Sequence, residues 1–552
     1  MKKPNFKRKE LFFLVVIFLL SLSIRLIKLG NVPNGLTVDE ADMGYNAFSI
    51  LKTGADVYGR KFPLFFQSLD DYKAAFGIYA PLPAVALFGL NELSVRIVPA
   101  ILGAFTPLLA FLLLKLLYSK SRYLPSVTAV VMAFAPWNIA ISRANLPYIE
   151  LIFFYLLFIY SFQLGVIKNS KFLLIAAGTL GITLYVYYAA IIYLPFTLLT
   201  ITLIYRDFLK KNFKIVFVGL SLLVILSMPA FLHYTKKESK TRLNAISVLT
   251  ADVTLPTSIA EIEQDKQEEQ PFPQIIHNRR LVYVSALLDN YADYFNLDYL
   301  FVNAKNIRYF YTNNVGLFYL LELPFVLYGL YIIIKRRDKP DLLILALLLI
   351  GPIPAALTLG SPFPHRALLA ILSLQLISAI GAAAILSKIR SSTSLKLALI
   401  AIYAASIYFF LHQYFVHSPR EFTSEFDNGA WFSTVKEAIP LVNQYKRKYD
   451  KVVFTWSSQK LVPAVYFLFY NQVDPRILQA KASLWTNEPP SYKQIYNQIG
   501  NIEFRSINWE QDKNLRKTLF VGYPKEFDQA ARIIDKTYLP SGQTHFVFVQ
   551  TQ

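Results

Sequence analysis

Two adjacent carboxylates, Asp39 and Glu40, are the residues of this chain best placed to do chemistry. They follow the first apolar segment, in the stretch GLTVDEADMGYNAF, where a membrane helix would reach the water on its far side. A carboxylate at such a boundary can act as a general base, and an adjacent pair can ligate a divalent cation. Thr37 and Asp39 are also good helix N-cap residues, and capping is the commoner use of such a stretch, so both roles stay open.

Potential cations recur in other loops at the same predicted level. The candidates for contact with a phosphate or a sugar, given with their neighbours, are Tyr72 and Lys73, Arg143 and Glu150, and His365 and Arg366. Each has a structural alternative, because Lys73 can reach any lipid headgroup, Arg143 can pair with Glu150, and the His–Arg pair can anchor a helix at the interface. Together, acids and cations at a lipid–water boundary suit a reaction in which cations hold a lipid phosphate while a carboxylate deprotonates an acceptor.

The composition places these residues in a membrane protein. The chain has 552 residues, of which 55% are apolar and only 17% are charged, and its mean hydropathy is +0.39. Soluble proteins carry about 25% charged residues, so the sequence predicts a polytopic membrane protein. The chain has no cysteine, which excludes disulfides, thiolate catalysis and Cys-ligated metals.

Eleven apolar segments are long enough to be predicted as membrane helices. They lie near residues 11–29, 97–114, 125–142, 151–167, 172–188, 190–205, 215–232, 315–334, 342–360, 367–386 and 397–411. The run Phe172–Tyr205 is too long for one span, so a break with a tight turn is predicted near Tyr188–Ala190. The run Phe76–Asn91 is also apolar, but Pro81 and Pro83 interrupt it. We therefore predict that this run lies in the outer interface or re-enters the membrane.

Lys and Arg in the short loops predict the orientation. Every second loop carries them, beginning with the N-terminal tail. Because cytoplasmic loops are rich in Lys and Arg, we predict a multi-pass protein of the cell membrane with a cytoplasmic N terminus. Most of the net charge of +20 lies in these loops, so the charge indicates orientation and not a nucleic-acid partner.

The chain divides into a predicted membrane domain, residues 1–411, and a predicted extracytoplasmic domain, residues 412–552. Long outer loops are expected at about 30–96 and 233–314, and the acidic stretch Glu261–Gln270 predicts a solvated, flexible tip in the second. The tail alternates helix-like segments with strand-like ones at Lys451–Trp456, Thr518–Gly522 and His545–Gln550. The predicted fold is an all-α polytopic membrane protein with a small C-terminal α/β domain.

Five stretches, taken in order, resemble glycosyltransferase family 39, the group of the protein O-mannosyltransferases and lipid A aminoarabinose transferases. They are VDEA after the first span, DDYKAAFGIYAPLPAVALFGLNELSVRIVPAILG, PWNIAISRANLPYIE, DNYADYFNLDYLFVNAKNIR and GPIPAALTLGSPFPHRALLAI. The resemblance covers about residues 8–390 and implies the GT-C membrane fold. It also implies transfer of a monosaccharide from a polyprenyl-phosphate carrier to an acceptor on the outer face, with inversion and without a nucleotide sugar.

The resemblance implies roles for particular residues. Asp39 would be the general base and Glu40 would position substrate, while Tyr72 and Lys73 would contact the carrier phosphate or the sugar. Arg143 with Glu150, and His365 with Arg366, would add further contacts to the donor. Ala74 and Ala75 stand where the family has prolines after its lysine, so the sequence departs from the family at that loop. No metal or other cofactor is required by this chemistry, although the paired acids leave a divalent cation open.

Two other functions remain open from the residues alone. A lipid-linked glycan exporter would need polar groups near the middle of the spans, and apart from Glu322 these spans have few. A non-catalytic membrane scaffold would use the acids only as helix caps. The expected partners are a polyprenyl-phosphate sugar, membrane lipids and an acceptor that is a protein, a lipid or a glycan. The sequence does not identify the sugar.

Overall fold

The structure is a computed structural model and describes residues 8–69, 71–236, 247–248, 254–303, 314–360, 362–421, 431–456, 462–485 and 490–551. Its amino-terminal part is helical. The helices are Arg8–Leu26, Val38–Thr53, Phe76–Tyr79, Leu82–Phe88, Glu92–Leu117, Leu124–Phe134, Pro136–Ile141, Tyr148–Ile167, Phe172–Ile182, Ala190–Lys211, Phe213–Tyr234, Thr254–Gln267, Pro273–Ile276, Arg279–Asp293, Glu322–Arg336, Lys339–Ile350, Ile353–Ala356, Leu368–Lys388 and Thr393–His412.

Each of the eleven predicted apolar segments contains a helix. Seven helices of the described residues are long and apolar enough to cross a membrane, so the predicted count of eleven is not confirmed. The other predicted segments fall short for different reasons. Arg8–Leu26 carries charges at both ends, Leu124–Phe134 stops before Pro136, the helical run Phe172–Tyr185 has 14 residues, and Glu322–Arg336 has only 15. The orientation and the boundary at residue 411 stay predictions.

Arg25 and Tyr319 bind backbone carbonyls at the end of an interrupted helix. Helix Leu124–Phe134 ends before Pro136, and its carbonyls at Ala133 and Phe134 accept hydrogen bonds from Arg25 (3.3 Å) and the Tyr319 hydroxyl (2.7 Å). Such carbonyls are costly to leave unpaired away from water. Arg25 is therefore a buried structural cation of the helix bundle.

The predicted interruption of the run Phe76–Asn91 is confirmed. It forms two short helices, Phe76–Tyr79 and Leu82–Phe88, separated at Pro81. Its depth in the membrane stays a prediction.

Glu322, the acid in the eighth apolar segment, begins its helix and is buried, and it accepts hydrogen bonds from Gln375 (2.8 Å) and Ser378 (2.7 Å). These bonds offset the cost of burying the carboxylate.

A strand hairpin in the first outer loop carries one of the candidate residues. Strand β1 (Phe65–Ser68) pairs antiparallel with β2 (Asp71–Ala74), and Phe66 lies opposite Lys73. Because alternate side chains of a strand point to opposite faces, this register decides which way Lys73 points.

The C-terminal part is an α/β domain, as predicted. Its strands are β3 (Lys451–Thr455), β4 (Gln498–Ile499), β5 (Ile502–Arg505), β6 (Thr518–Gly522), β7 (Ile533–Tyr538) and β8 (Thr544–Gln550), in the sheet order β4-β5-β3-β6-β8-β7. Strands β5, β3 and β6 are parallel and the others antiparallel. Its helices are Ser433–Tyr445, Pro463–Asn471, Arg476–Ala482, Tyr492–Tyr496 and Trp509–Asp512. The sequence located β3, β6 and β8 but missed β4, β5 and β7.

The C-terminal domain packs directly against helix Val38–Thr53, which we call the cleft helix. The Tyr45 hydroxyl donates to the Val473 carbonyl (3.0 Å), and the Tyr466 hydroxyl donates to the Leu36 carbonyl (3.1 Å). At Gly44 any Cβ atom would lie 2.6 Å from the ring of Phe469. Residues of both parts share one hydrophobic core, so the cleft helix is held from the domain side as well as from the bundle.

The predicted flexible tip is wrong over Glu261–Gln267, which continue helix Thr254–Gln267. Two of its acids, Glu261 and Asp265, contact the two ring nitrogens of His277 at 3.0 and 2.8 Å. The acidic composition indicated solvation correctly, but it carried no signal for the histidine that joins the two acids.

Candidate active site

One cleft brings together five of the eight candidate residues. It has a volume of about 840 Å³ and lies where the cleft helix, hairpin β1–β2 and several helix ends meet. Asp39, Tyr72, Lys73, His365 and Arg366 line it, whereas Glu40, Arg143 and Glu150 do not. Candidate residues from three separated parts of the chain therefore line one cleft, as the sequence predicts for Asp39, Lys73 and the His–Arg pair.

Asp39 lies at the first turn of the cleft helix and forms an ion pair with Lys73. Lys73 Nζ donates to Asp39 Oδ1 at 2.5 Å, and the two side chains are 28% and 14% exposed for Asp39 and Lys73 respectively. Thr37, not Asp39, is the N-cap, because its side chain accepts from the backbone of Glu40. Asp39 is thus not used for capping, and its carboxylate faces the cleft.

Glu40 has a different environment from its neighbour. Its side chain is completely buried and accepts hydrogen bonds from Arg96 Nε (2.8 Å), Arg96 Nη2 (3.1 Å), the Thr37 amide (3.1 Å) and the Asn145 amide (2.9 Å). Arg96 is equally buried and also donates to the Gly35 carbonyl at 2.5 Å. Glu40 therefore holds the loop before the cleft helix and the start of the next helix in place, and it does not line the cleft.

His365 and Arg366 form a short 3₁₀ turn on the opposite wall. The His365 ring stacks on Tyr148 with ring centres 4.8 Å apart. Arg366 Nη1 donates to Thr358 Oγ1 and to the Leu359 carbonyl, both at 2.7 Å, and the guanidinium lies over the Phe363 ring. No acidic residue of the described chain pairs with Arg366, so its charge is available to an anion in the cleft.

Arg143 points away from the cleft. Its two terminal nitrogens donate to the carbonyls of Ile24, Arg25, Ile27 and Val32 at 2.6–2.8 Å, and its guanidinium stacks on Phe415. These carbonyls lie at and just beyond the end of the first helix, where no helical amide can reach them. The guanidinium is thus a cap for that helix in this structure.

Glu150 is buried one turn into helix Tyr148–Ile167. Within the described residues no ion pair joins it to Arg143, so the pairing considered for these two residues is wrong. Arg143 satisfies backbone carbonyls instead, because the interruption after the first helix leaves several of them without amide partners.

Aromatic side chains that the sequence did not single out form much of the remaining lining. They are Tyr148, Tyr187 and Tyr188. Tyr187 and Tyr188 lie at the tight connection that length predicted between two spans, so the position was visible although the role was not. Aromatic rings beside a few charged groups are a typical lining for a site that binds a polar ligand with apolar faces.

Asp42 lies one turn after Asp39 and is almost completely buried. The Tyr496 hydroxyl of the C-terminal domain contacts its Oδ1 at 3.4 Å. Burial raises the pKa of the Asp42 carboxyl to about 6. In the described residues no group of three or more His, Asp and Glu side chains is arranged to hold a metal ion.

Comparison with solved structures identifies the fold. The chain is similar to ArnT from Cupriavidus metallidurans in the apo state, with 12% identity over 98% of both chains and a TM-score of 0.56. The undecaprenyl-phosphate-bound form of that protein matches over 97% of both chains, with 12% identity and a TM-score of 0.55. The oligosaccharyltransferase of Archaeoglobus fulgidus matches with 16% identity and a TM-score of 0.51, over 84% of this chain and 61% of its own length.

These likenesses and the site define the class: the chain has the GT-C fold of integral-membrane glycosyltransferases. More particularly, residues 15–240 match the family described as dolichyl-phosphate-mannose-protein mannosyltransferase. The predicted resemblance to glycosyltransferase family 39 is thereby confirmed over that part of the chain. No curated protein matches the sequence directly.

Proposed function

We propose that this protein is an inverting membrane glycosyltransferase that moves a monosaccharide from a polyprenyl-phosphate carrier to an acceptor hydroxyl. The observation that carries the proposal is the cleft in which a carboxylate, Asp39, faces the cations Lys73 and Arg366. The similar ArnT structure is described as bound to undecaprenyl phosphate, which supports a polyprenyl carrier. We place the cleft on the outer face of the cell membrane, with the N terminus in the cytoplasm.

Arg366 is the proposed main contact of the donor phosphate. Thr358 and the Leu359 carbonyl hold one of its terminal nitrogens, and Phe363 supports the plane of the guanidinium. The rest of the planar group can then meet a phosphate without reorganising. His365 and Tyr148, stacked beside it, form the adjoining wall for the sugar or the phosphate.

In this proposal Lys73 acts both in binding the donor phosphate and in controlling the basicity of Asp39. It is paired with Asp39 at 2.5 Å. A phosphate with its negative charge competes for the ammonium, and the carboxylate that loses this contact becomes a stronger base. Donor binding thus prepares Asp39 to accept a proton, and Lys73 turns to the oxygen on which charge develops.

The reaction balances with the groups present. The acceptor hydroxyl oxygen attacks the anomeric carbon from the face opposite the carrier, and a new C–O bond forms. The bond from the anomeric carbon to the phosphate oxygen breaks, and its electron pair leaves with polyprenyl phosphate. Asp39 takes the hydroxyl proton, while Lys73 and Arg366 stabilise the departing phosphate more strongly in the transition state than in the ground state.

The test is transfer by the purified chain in vesicles that contain radiolabelled polyprenyl-phosphate sugars and a membrane extract. We expect label in one acceptor fraction for the wild type. Asp39→Asn should lower the rate by about 10²- to 10⁴-fold, the usual contribution of a general base. Lys73→Met should also lower it strongly. Lys52→Met, at the exposed end of the cleft helix, is the matched lysine control and should keep the wild-type rate.

Two outcomes would contradict the proposal. Wild-type transfer by a folded Asp39→Asn variant would exclude Asp39 as the base, and no label in any fraction with any donor would exclude the activity. Addition of EDTA to the wild-type reaction tests the divalent cation that the paired acids leave open. Loss of transfer restored by Mg²⁺ or Mn²⁺ would add a metal to the proposal.

A further inference from the structure

Helix Arg279–Asp293, which we call the loop helix, has an exposed apolar face. Leu281, Val284 and Leu288 are 51%, 50% and 63% exposed, and they are spaced three and four residues apart. That spacing places them on one side of the helix, with Asp289 at its polar edge. Contiguous apolar surface of this kind marks an interaction site.

The position of the loop helix indicates what covers this face. The Tyr291 hydroxyl donates to the carbonyl of Leu349 (2.8 Å), a residue near the end of span Lys339–Ala356 whose side chain is 57% exposed. Asn290 Nδ2 donates to the carbonyls of Ala356 and Thr358, both at 3.3 Å. The loop helix is therefore bonded to the end of an apolar helix of spanning length, beside an exposed apolar residue of that helix.

The charges of the loop helix agree with a lipid surface. Arg279 and Arg280 occupy its first turn, where the helix dipole disfavours positive charge. Anionic headgroups near the membrane surface would offset this cost, because they attract basic side chains. Just before the helix, Phe272, Ile275 and Ile276 are also more than half exposed and extend the apolar surface.

The loop helix also supports the wall of the cleft. It is followed by Tyr294, whose hydroxyl accepts from the Phe363 amide (2.8 Å) and contacts the Phe363 carbonyl (3.3 Å). Thr358, bonded to Asn290 through its carbonyl, accepts from Arg366 through its hydroxyl. The same helix thus touches the membrane-span end and the turn that carries Arg366.

We propose that the loop helix is a membrane-surface element whose apolar face inserts into the leaflet on the cleft side, and that it sets the height of the Arg366 turn over the lipid phosphates. The insertion follows from the exposed face, the two arginines and the bonds to the span end. The consequence for Arg366 rests on the proposed function. Amphipathic helices of this composition lie in the interface with the apolar side in the acyl boundary.

The absence of cysteine makes a direct test available. Leu288→Cys and Asp289→Cys are each labelled with a nitroxide in the full chain, which is reconstituted in vesicles of phosphatidylethanolamine and phosphatidylglycerol. These neighbouring residues lie on different sides of the helix, so they form a matched pair. The label at Leu288 should be more accessible to oxygen and less accessible to a water-soluble nickel chelate, at a depth roughly 5 Å greater, about the radius of a helix with its side chains.

Three results would overturn the inference. Equal nickel accessibility at both positions would place the helix in water. Protection of Leu288 from both reagents would show that protein, such as a second copy of the chain, covers the face. A deeper label at Asp289 would reverse the orientation. Val284→Cys, one turn earlier on the same face, replaces Leu288→Cys if that variant does not reconstitute. No transfer activity is needed, so failure here is distinct from failure of the proposed function.

Discussion

Replacement of Glu40 by Gln separates the roles of the two adjacent acids. The carboxylate of Glu40 accepts four hydrogen bonds in a site where neither it nor Arg96 is exposed. A glutamine can keep its oxygen on Arg96 Nε and the Asn145 amide. Its NH₂ group would then face two donors, Arg96 Nη2 and the Thr37 amide, and the guanidinium charge would be buried without a counter-ion.

The expected cost follows from these contacts. Removing one partner of a buried ion pair costs about 3–5 kcal/mol, because the remaining charge is not compensated. Asp39→Asn changes a partly exposed pair with Lys73 and should alter the free energy of unfolding by about 1 kcal/mol or less. Glu40→Gln should therefore be markedly less stable while its folded fraction retains transfer, and Asp39→Asn should be stable and inactive.

The assay is denaturant unfolding in detergent micelles together with transfer per folded molecule. A double-mutant cycle with Arg96→Met completes the measurement. Because each single change leaves a buried charge, Glu40→Gln combined with Arg96→Met should cost less than the sum of the two, with a coupling of about 2 kcal/mol. A Glu40→Gln variant that is as stable as the wild type and inactive would refute the reasoning and return Glu40 to the chemistry.

Three further changes test the packing around the cleft. Gly44→Ala places a Cβ atom 2.6 Å from the Phe469 ring, so it should lower the free energy of unfolding by about 1–3 kcal/mol, and Phe469→Leu in the same chain should restore part of this in thermal unfolding. Burial raises the pKa of the Asp42 carboxyl from 3.8 to about 6, so the folded protein binds this proton more tightly than the unfolded chain does. The free energy of unfolding of the wild type should therefore fall as pH rises from 4 to above 6, by at most about 3 kcal/mol. Asp42→Asn should lack this fall when thermal unfolding is compared at pH 4 and pH 7. Tyr294→Phe removes the hydroxyl that holds Phe363, so it should raise the KM for the donor several-fold with little change in kcat, and an unchanged KM would exclude a positioning role.

Much of the bundle was predictable because apolar runs of spanning length have few alternative structures. Each predicted segment contains a helix, and the break at Tyr188–Ala190 is present as a 3₁₀ turn and a short connection before Ala190. The length of an apolar run could not predict a helix interruption whose unpaired carbonyls are bound by side chains distant in sequence. The helix ends before Pro136, and Arg25 and Tyr319, distant in sequence, bind the carbonyls that are left without amide partners.

The candidate site was predictable in its residue types and less so in their roles. Asp39, Lys73, His365 and Arg366 were expected at one level and line one cleft. Arg143 was indistinguishable from them in sequence, because any arginine in a short loop at the membrane boundary is a potential phosphate contact. Its carbonyl partners lie at and just beyond the end of the first helix, about 115 residues earlier in the chain, and no local sequence pattern indicates that contact.

The sequence by itself determined that this is a membrane protein, where its helices lie, and which residue types stand ready at the membrane boundary. These properties depend on composition and spacing, which are local. Only the tertiary structure decided that Asp39 faces the cleft while Glu40 is buried against Arg96. The reason is that neighbouring residues of a helix point about 100° apart, so distant segments of the chain determine whether each carboxylate lines the cleft or is buried in an ion pair.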